Sequence, residues 1–280
     1  MVVYRRQLVD KSLKAPNPER CTRPEMSTSA HAVILAAGAG NRLGMKGVPK
    51  ALLRFGSKSL LSRHIESLRR IGVTRIDIVV GYEATAIFQA LVGECGAIAV
   101  RVIPVLWQEK GSLFSLVAAN IGSLDADTVL LMDADVLYHG AIIERLVSSR
   151  SQNAVLVDRN GAVGAEPVKL CVRGNTIVDF EKRPTDLGDW YGESVGFFKL
   201  GPAARHELGA IGSQLLSAGG DRLEYEEALK PVLLNASHKF APEDVTGLPW
   251  IEIDFEDDLR RAETHVFPLV EETLSGNASL

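Results

Sequence analysis

Apolar positions recur along this chain in two periods. Val33, Ile34 and Leu35 form a short continuous run, the pattern of a strand buried on both faces. Leu60, Leu61, His64, Ile65, Leu68 and Ile71 recur at helical spacing, which predicts an amphipathic helix over 59–71 stopped by Gly72. A strand over 75–80, a short helix over 85–92 and a strand over 98–103 are expected next. A loop over 104–111 and a helix over 112–121 follow, then an apolar strand over 128–132, a helix over 140–149 and a central strand over 154–157. Strands alternating with helices predict an α/β fold with a parallel sheet and helices on both faces.

Beyond about residue 158 the pattern changes. Segments 168–172 and 176–180 flank Gly174 and Asn175 and read as an antiparallel hairpin. A loop carrying Trp190, Tyr191 and Glu193 leads into a strand over 195–200. Helices are expected over 202–216 and 223–234, and Trp250, Ile251 and Ile253 mark a strand that ends at Asp254. Asp257 and Asp258 fit the first turn of a final helix, where its dipole favours acids. The expected fold class is therefore α/β: a mixed, mostly parallel central sheet with helices on both faces and a small antiparallel part.

Residues 1–29 stand apart. Arg5, Arg6, Lys11, Lys14, Arg20 and Arg23 outnumber the acids there, and Pro16, Pro18 and Pro24 interrupt any helix. They read as an N-terminal extension, partly disordered or packed on a neighbour. The segment has no apolar core for a secretory signal, and its acidic residues argue against an organellar transit segment. Residues 30–274 read as a single domain. With 280 residues, 46% hydrophobic and 24% charged, the chain has ample material for a large core. A net charge of -4 gives no reason to expect nucleic acid, and no apolar run approaches a membrane span. Cys21, Cys95 and Cys171 are few and widely spaced, which suggests a reducing compartment, and hence the cytoplasm, and no zinc site.

The chemistry concentrates after the first strand. Ala36, Ala37, Gly38, Ala39 and Gly40 carry almost no side chain, and Arg42, Lys46 and Lys50 follow. Small residues let a backbone lie close to a ligand, and bare N–H groups there hold anions. The cations suit a polyphosphate. A tight strand-to-helix connection with solvated lysines accounts for the same residues. A dinucleotide fingerprint fits poorly, because the third glycine of Gly38, Gly40 and Gly44 comes one residue late. Nor does an acid close a second strand about 20 residues further on. A P-loop is excluded, since no G-K-[ST] is present. Asp133 and Asp135 stand just past a buried strand, where open α/β sheets bind ligands, although acids there also cap turns.

Leu35, Ala36, Ala37, Gly38, Gly40 and Arg42, followed by Pro49 and Lys50, match L-A-A-G-x-G-x-R and then P-K. On these residues the chain resembles nucleotidyltransferases of the sugar-phosphate nucleotidylyltransferase superfamily. It is most similar to the CTP-dependent cytidylyltransferases of phosphocholine, aminoethylphosphonate and inositol-phosphate type. The resemblance spans about residues 32–263 and includes EKGSLFSL, FEKRP, GESVGFFKL and EIDFEDDLRRAE. It implies a Rossmann-like nucleotidyltransferase fold, with a nucleotide half at about 30–158 and an acceptor half at about 159–274. The matched loop, Gly81, Gly111, Ser112 and Asp133 would then bind the nucleotide, and Asp135 and Asp254 would hold Mg²⁺. Arg42, Lys50 and Lys182 would be catalytic, on the β- and γ-phosphates, the α-phosphate and the acceptor phosphate respectively. For Ser112, helix capping and base contact both remain open.

The partners implied are CTP and a small phosphorylated acceptor, with association of a second copy left open. Glu166, Lys169, Trp190, Tyr191 and Glu193 are the candidates for the acceptor. Aromatic faces beside a carboxylate suit an ammonium group, so phosphocholine, phosphoethanolamine or aminoethylphosphonate is the expected class. A sugar 1-phosphate or inositol 1-phosphate is the alternative. Trp190 and Tyr191 covering a sheet edge, with Lys169 paired to Glu193 or Glu166, is the competing reading of those residues. A nucleotide-binding protein without catalysis is disfavoured by the joint presence of Arg42, Lys50, Asp135, Lys182 and Asp254.

Overall fold

β1 (Ala30–Ala36) runs through the middle of the sheet, and its side chains enter both layers of core: Ala32, Ile34 and Ala36 on one face, Val33 on the other. The computed structural model describes residues 30–276 except 39, 41–42, 44–46, 93–97, 107–109 and 161–165. β2 (Arg75–Val80) lies parallel to β1, and β3 (Ala99–Pro104) parallel to β2. The chain then crosses back, and β4 (Thr128–Asp133) pairs in parallel on the other side of β1. This reversal makes a topological switch point between the carboxyl ends of β1 and β4, the place where open α/β sheets leave a crevice.

Besides a two-residue ribbon of Arg54–Phe55 with Lys58–Ser59, the remaining strands are β5 (Val136–Tyr138), β6 (Ala154–Asp158), β7 (Lys169–Arg173), β8 (Thr176–Glu181), β9 (Trp190–Leu200), β10 (Ala241–Asp244) and β11 (Trp250–Glu252). β9 converts the sheet from parallel to antiparallel. Its second half pairs with β4, its first half with β7, and β8 closes that edge as the expected hairpin. The hairpin turn contains Gly174 at φ 59°, a conformation that suits glycine. α1 (Leu60–Arg70), α2 (Ala84–Leu91) and α4 (Gly140–Ser148) cover one face, while α3 (Ser112–Ala118), α5 (Pro202–Ser217) and α6 (Glu226–Leu234) cover the other. Ser59 starts α1 by accepting a hydrogen bond from the Ser62 N–H at 3.1 Å. α7 (Glu256–Arg261) and α8 (Phe267–Gly276) end the described chain. Among the described residues, no helix is long and apolar enough to cross a membrane.

The mixed sheet, the helices on both faces and the antiparallel part agree with the sequence reading; four local features differ. β6 is not central: it pairs with β9 and β10, off the main strand path. Trp190, Tyr191 and Glu193 lie in strand rather than loop, because β7 offers them a pairing edge from Val172 to Lys169. α6 begins at Glu226 and not at 223. The carbonyls of Asp221 and Leu223 are turned away to accept from the N–H groups of Gly111 (2.9 Å) and Leu113 (3.1 Å). The last strand does not join the main sheet. It pairs antiparallel with β5 alone, in register Trp250 with Tyr138 and Glu252 with Val136.

His64 of α1 is fully buried among Tyr138 and Phe197, ring centroids 5.2 and 5.9 Å away. Its Nε2 lies 3.3 Å from the Ala134 carbonyl between the two strand-end acids. Burial pushes its pKa down from 6.5 to about 4, against the pull of that carbonyl. Below pH 6.5 the unfolded chain therefore takes up a proton that the folded one refuses, and stability falls with pH until about pH 4. Between pH 7 and pH 5 this costs about 2 kcal/mol. Urea unfolding of wild type and His64→Leu at both pH values should show wild type losing that amount of stability relative to the variant on going to pH 5. A gap independent of pH would mean that His64 titrates normally.

Candidate active site

The switch point opens into a cleft of about 1060 Å³. Of the residues singled out from the sequence, Leu35, Ala36, Ala37, Gly38, Gly40 and Lys50 line it from the β1 side. Gly111, Ser112, Asp133, Asp135 and Asp254 line its floor and far wall, and Glu166 and Lys182 its antiparallel end. Arg42 lies outside the described residues. Gly81 is not part of the lining. It packs behind the loop, where a Cβ would come within 2.9 Å of the Ala37 carbonyl, and the neighbouring Tyr82 N–H donates to that carbonyl at 3.2 Å. Gly40, at φ 61°, passes so near Lys50 that a Cβ would stand 2.9 Å from Lys50 Cγ.

Backbone pairing brings the acids together. The β5–β11 ladder continues past its ends, with the Ile253 N–H donating to the Asp135 carbonyl at 3.0 Å. That register sets Asp254 beside Asp135. Carboxylate oxygens of Asp135, Glu252 and Asp254 lie within 4.8 Å of one another. Lys50 Nζ donates to Asp135 at 2.8 Å and also to Asp254. Burial alone would lower the pKa of Lys50, but Asp135 and Asp254 outweigh it and hold the ammonium well above its usual value. Burial, followed by the charges of Asp135 and Asp254, pushes Glu252 well above the ordinary carboxylate range. Three converging carboxylates are an oxygen donor set suited to a hard divalent cation. Glu252 was absent from the sequence-derived set. The period-2 alternation of an extended segment, which puts Glu252 and Asp254 on one side, is the signal that would have found it.

Asp133 is held apart from this cluster. Its carboxylate accepts from the Tyr225 hydroxyl at 2.8 Å, and burial, Asp135, Glu226 and Glu252 raise its pKa well above normal. Gly196, at φ 77° in the irregular stretch of β9, faces it so closely that a Cβ would overlap the Asp133 carboxylate. Ser112 does not cap α3. The N-cap is Gly111, and the Ser112 hydroxyl donates to Glu224 and accepts from the Tyr225 N–H at 2.8 Å. Gly111 itself leaves no room for a Cβ against the backbone of Arg222 and Leu223.

The acceptor candidates separate. Lys182 lies at the cleft edge, its Nζ 3.6 Å from Glu166. Lys169 is buried behind it and donates to the carbonyls of Pro167 (3.4 Å) and Lys182 (3.0 Å). Glu193 pairs in register with Lys169 and Asp158. Its burial and the Asp158 charge push its carboxyl up to about 7. Trp190 and Tyr191 line a separate open depression of about 610 Å³, where the Arg159 guanidinium lies 4.9 Å from the Trp190 ring. The aromatic faces and the carboxylate expected to enclose an ammonium group are therefore not gathered in the cleft.

Residues 32–190 match the family model of the MobA-like NTP transferase domain, and the chain belongs to that family. It is a nucleotidyltransferase of the nucleotide-diphospho-sugar transferase superfamily, close to CTP-dependent cytidylyltransferases. It is 29% identical over 240 residues to the bifunctional IPC transferase and DIPP synthase of Rubrobacter xylanophilus, a match covering 84% of this chain and 51% of that protein. It is 25% identical over 265 residues to the CMP-5'-(3-aminopropyl)phosphonate synthase of Streptomyces rubellomurinus, covering 90% and 41%. The chain thus spans about half the length, or less, of these relatives. Among solved structures, the inositol-1-phosphate CTP transferase from T. maritima shares the fold at TM-score 0.70 and 21% identity, over 89% of this chain and 97% of that one. The CTP:phosphocholine cytidylyltransferase from Streptococcus pneumoniae does so at TM-score 0.66 and 21% identity, over 84% and 98%.

The acidic cluster makes a direct test. Glu252→Gln removes one of three mutually repelling carboxyls. The melting temperature of the metal-free protein should stay level or rise, while Mn²⁺ affinity by calorimetric titration should fall roughly tenfold or more. Wild-type Mn²⁺ affinity in the variant would take Glu252 out of the cation site.

Proposed function

We propose that this chain transfers CMP from CTP to the phosphate of a small polyol of the inositol 1-phosphate class, with release of pyrophosphate. The observation that carries the proposal is the convergence of Lys50, Asp135, Glu252 and Asp254 at the switch-point crevice beside the glycine-rich loop. Family membership supports nucleotidyl transfer. The relatives named as IPC transferases, from Rubrobacter xylanophilus and from Aquifex aeolicus, support the polyol acceptor. On this reading residues 30–158 take the nucleotide and 159–274 the acceptor. The phosphonate synthase and the phosphocholine enzyme favour an amine instead, but Trp190 and Tyr191 stand outside the cleft and offer no cage within it.

The chemistry follows from charge. An acceptor phosphate oxygen attacks the α-phosphorus in line, a new P–O bond forms, and the bond to the bridging oxygen of pyrophosphate breaks. That oxygen is already ionised, so no general base is required. The bare backbone from Ala36 to Gly38 and at Gly40 admits the triphosphate closely. Lys50, the cation on the strand-end acids, would turn to an α-phosphate oxygen and stabilise the charge gathered there in the transition state. Lys182, at the antiparallel end, would orient the acceptor phosphate. Asp135, Glu252 and Asp254 would hold Mg²⁺, which when bound neutralises phosphate oxygens beside the reacting centre.

Pyrophosphate release should be measured with CTP, UTP, ATP and GTP, each against inositol 1-phosphate, phosphocholine, aminoethylphosphonate and glucose 1-phosphate. CTP with inositol 1-phosphate is expected to turn over fastest. A preference for an amine would overturn the acceptor, and a preference for UTP the base. Lys50→Ala should lower kcat about a hundredfold while nucleotide affinity changes far less. An unchanged rate would make Lys50 a structural partner of the two aspartates.

A further inference from the structure

Glu226 is a cleft residue that the reaction just described does not use. It opens α6 directly after Tyr225, and Tyr225 is fixed from three sides. Its ring meets Phe198 edge-on at 6.2 Å, its hydroxyl donates to Asp133 at 2.8 Å, and its N–H donates to Ser112 Oγ at 2.8 Å. The stretch before it is clamped to the nucleotide loop through Gly111 and Leu113. Glu226 therefore lines the cleft from a rigid support.

Its Oε2 is sealed from solvent, yet makes no hydrogen bond among the described residues. A buried carboxyl oxygen without a partner is costly, and native structures rarely carry one without a use. Burial pushes this carboxyl up to about 7. Glu224 and Glu227 add to that push, while its own backbone N–H and Lys182 oppose it. In its protonated form a carboxyl both donates and accepts. That is the complement of two adjacent hydroxyls, each of which does the same. The cations that suit a phosphate, Lys182 and Arg183, line the same cleft.

We infer that Glu226 is a specificity-determining residue that hydrogen-bonds a vicinal hydroxyl pair of the substrate. The pair is either on the ring of a polyol phosphate acceptor or on the ribose of the nucleotide. This rests on the cytidylyl-transfer reading for its substrates, and on the position of Glu226 for its chemistry. The polyol arm would make Glu226 the group that selects hydroxyls over an ammonium.

The test is steady-state kinetics of wild type, Glu226→Leu and Glu226→Gln. The substrate pairs are CTP with 2′-deoxy-CTP, and inositol 1-phosphate with a ring-deoxy analogue. Glu226→Leu should raise KM for the hydroxylated member of one pair roughly tenfold, leave its deoxy partner unchanged and hold kcat within about threefold. Which pair responds identifies the ribose or the polyol. Glu226→Gln should restore the discrimination, because an amide still offers a donor and an acceptor. Unchanged KM ratios in Glu226→Leu would overturn the inference, as would a Glu226→Gln variant as damaged as Glu226→Leu, the result expected of a charged contact to an amine. If wild type transfers no nucleotide at all, the activity reading fails by itself. Calorimetric binding of both pairs, CTP against 2′-deoxy-CTP and inositol 1-phosphate against its ring-deoxy analogue, to wild type and Glu226→Leu then decides on Glu226, with equal discrimination by the two proteins in both pairs overturning it.

Discussion

Everything at the cleft depends on one backbone register. The antiparallel pairing of Val136–Tyr138 with Trp250–Glu252, extended by the bond from the Ile253 N–H to the Asp135 carbonyl, joins segments more than a hundred residues apart in sequence. It sets three carboxyl groups within reach of one another, an arrangement that side chains in water would avoid. The repulsion is offset by Lys50, delivered from the loop after β1, and by the shift of Glu252 toward its protonated form. Folding energy from the apolar residues under this ladder, Leu137, Ile251 and Ile253 with Leu60 and Phe55, holds the acids in place. A site assembled this way is poised for added positive charge, because a cation relieves a repulsion the fold has already imposed.

A second connection ties the two halves of the chain. The N–H groups of Gly111 and Leu113 donate to the carbonyls of Asp221 and Leu223, the Tyr225 N–H donates back to Ser112 Oγ, and the Tyr225 hydroxyl continues the link to Asp133 at the end of β4. The absence of side chains at Gly111 and Gly196 is what permits these approaches. Whatever binds beside Ser112 therefore touches a segment that also carries Glu226. The two sides of the cleft are therefore tied together by backbone bonds and by Tyr225, so that neither shifts without the other.

Much of this was legible in the residues alone. The apolar run Val33 to Leu35, the helical spacing from Leu60 to Leu68 and the small residues from Ala36 to Gly40 report on local structure. Their physics is short-ranged, and the strand and the helix appeared where expected, the helix within one residue at each end and the strand starting three residues earlier. Asp135 and Asp254 were brought together by the resemblance and not by their positions alone, since acids past an apolar strand also cap turns. What misled was partnership. Trp190 and Tyr191 looked like a cage because they adjoin Glu193, yet a strand alternates its side chains and pairs with whatever edge is offered, here β7. The segment before Glu226 looked helical, but its carbonyls serve Gly111 and Leu113.

The sequence by itself determined the alternation of elements, the glycine-rich turn and the strand-end acids, since each is set by the propensities and spacing of neighbours along the chain. Only the tertiary structure decided that Glu252 joins Asp135 and Asp254, that Lys50 lies between two of them, and that Trp190 and Tyr191 line a depression apart from the cleft. Those outcomes depend on register and on which strand edge is open, properties of contacts between residues far apart in sequence, which no local pattern encodes.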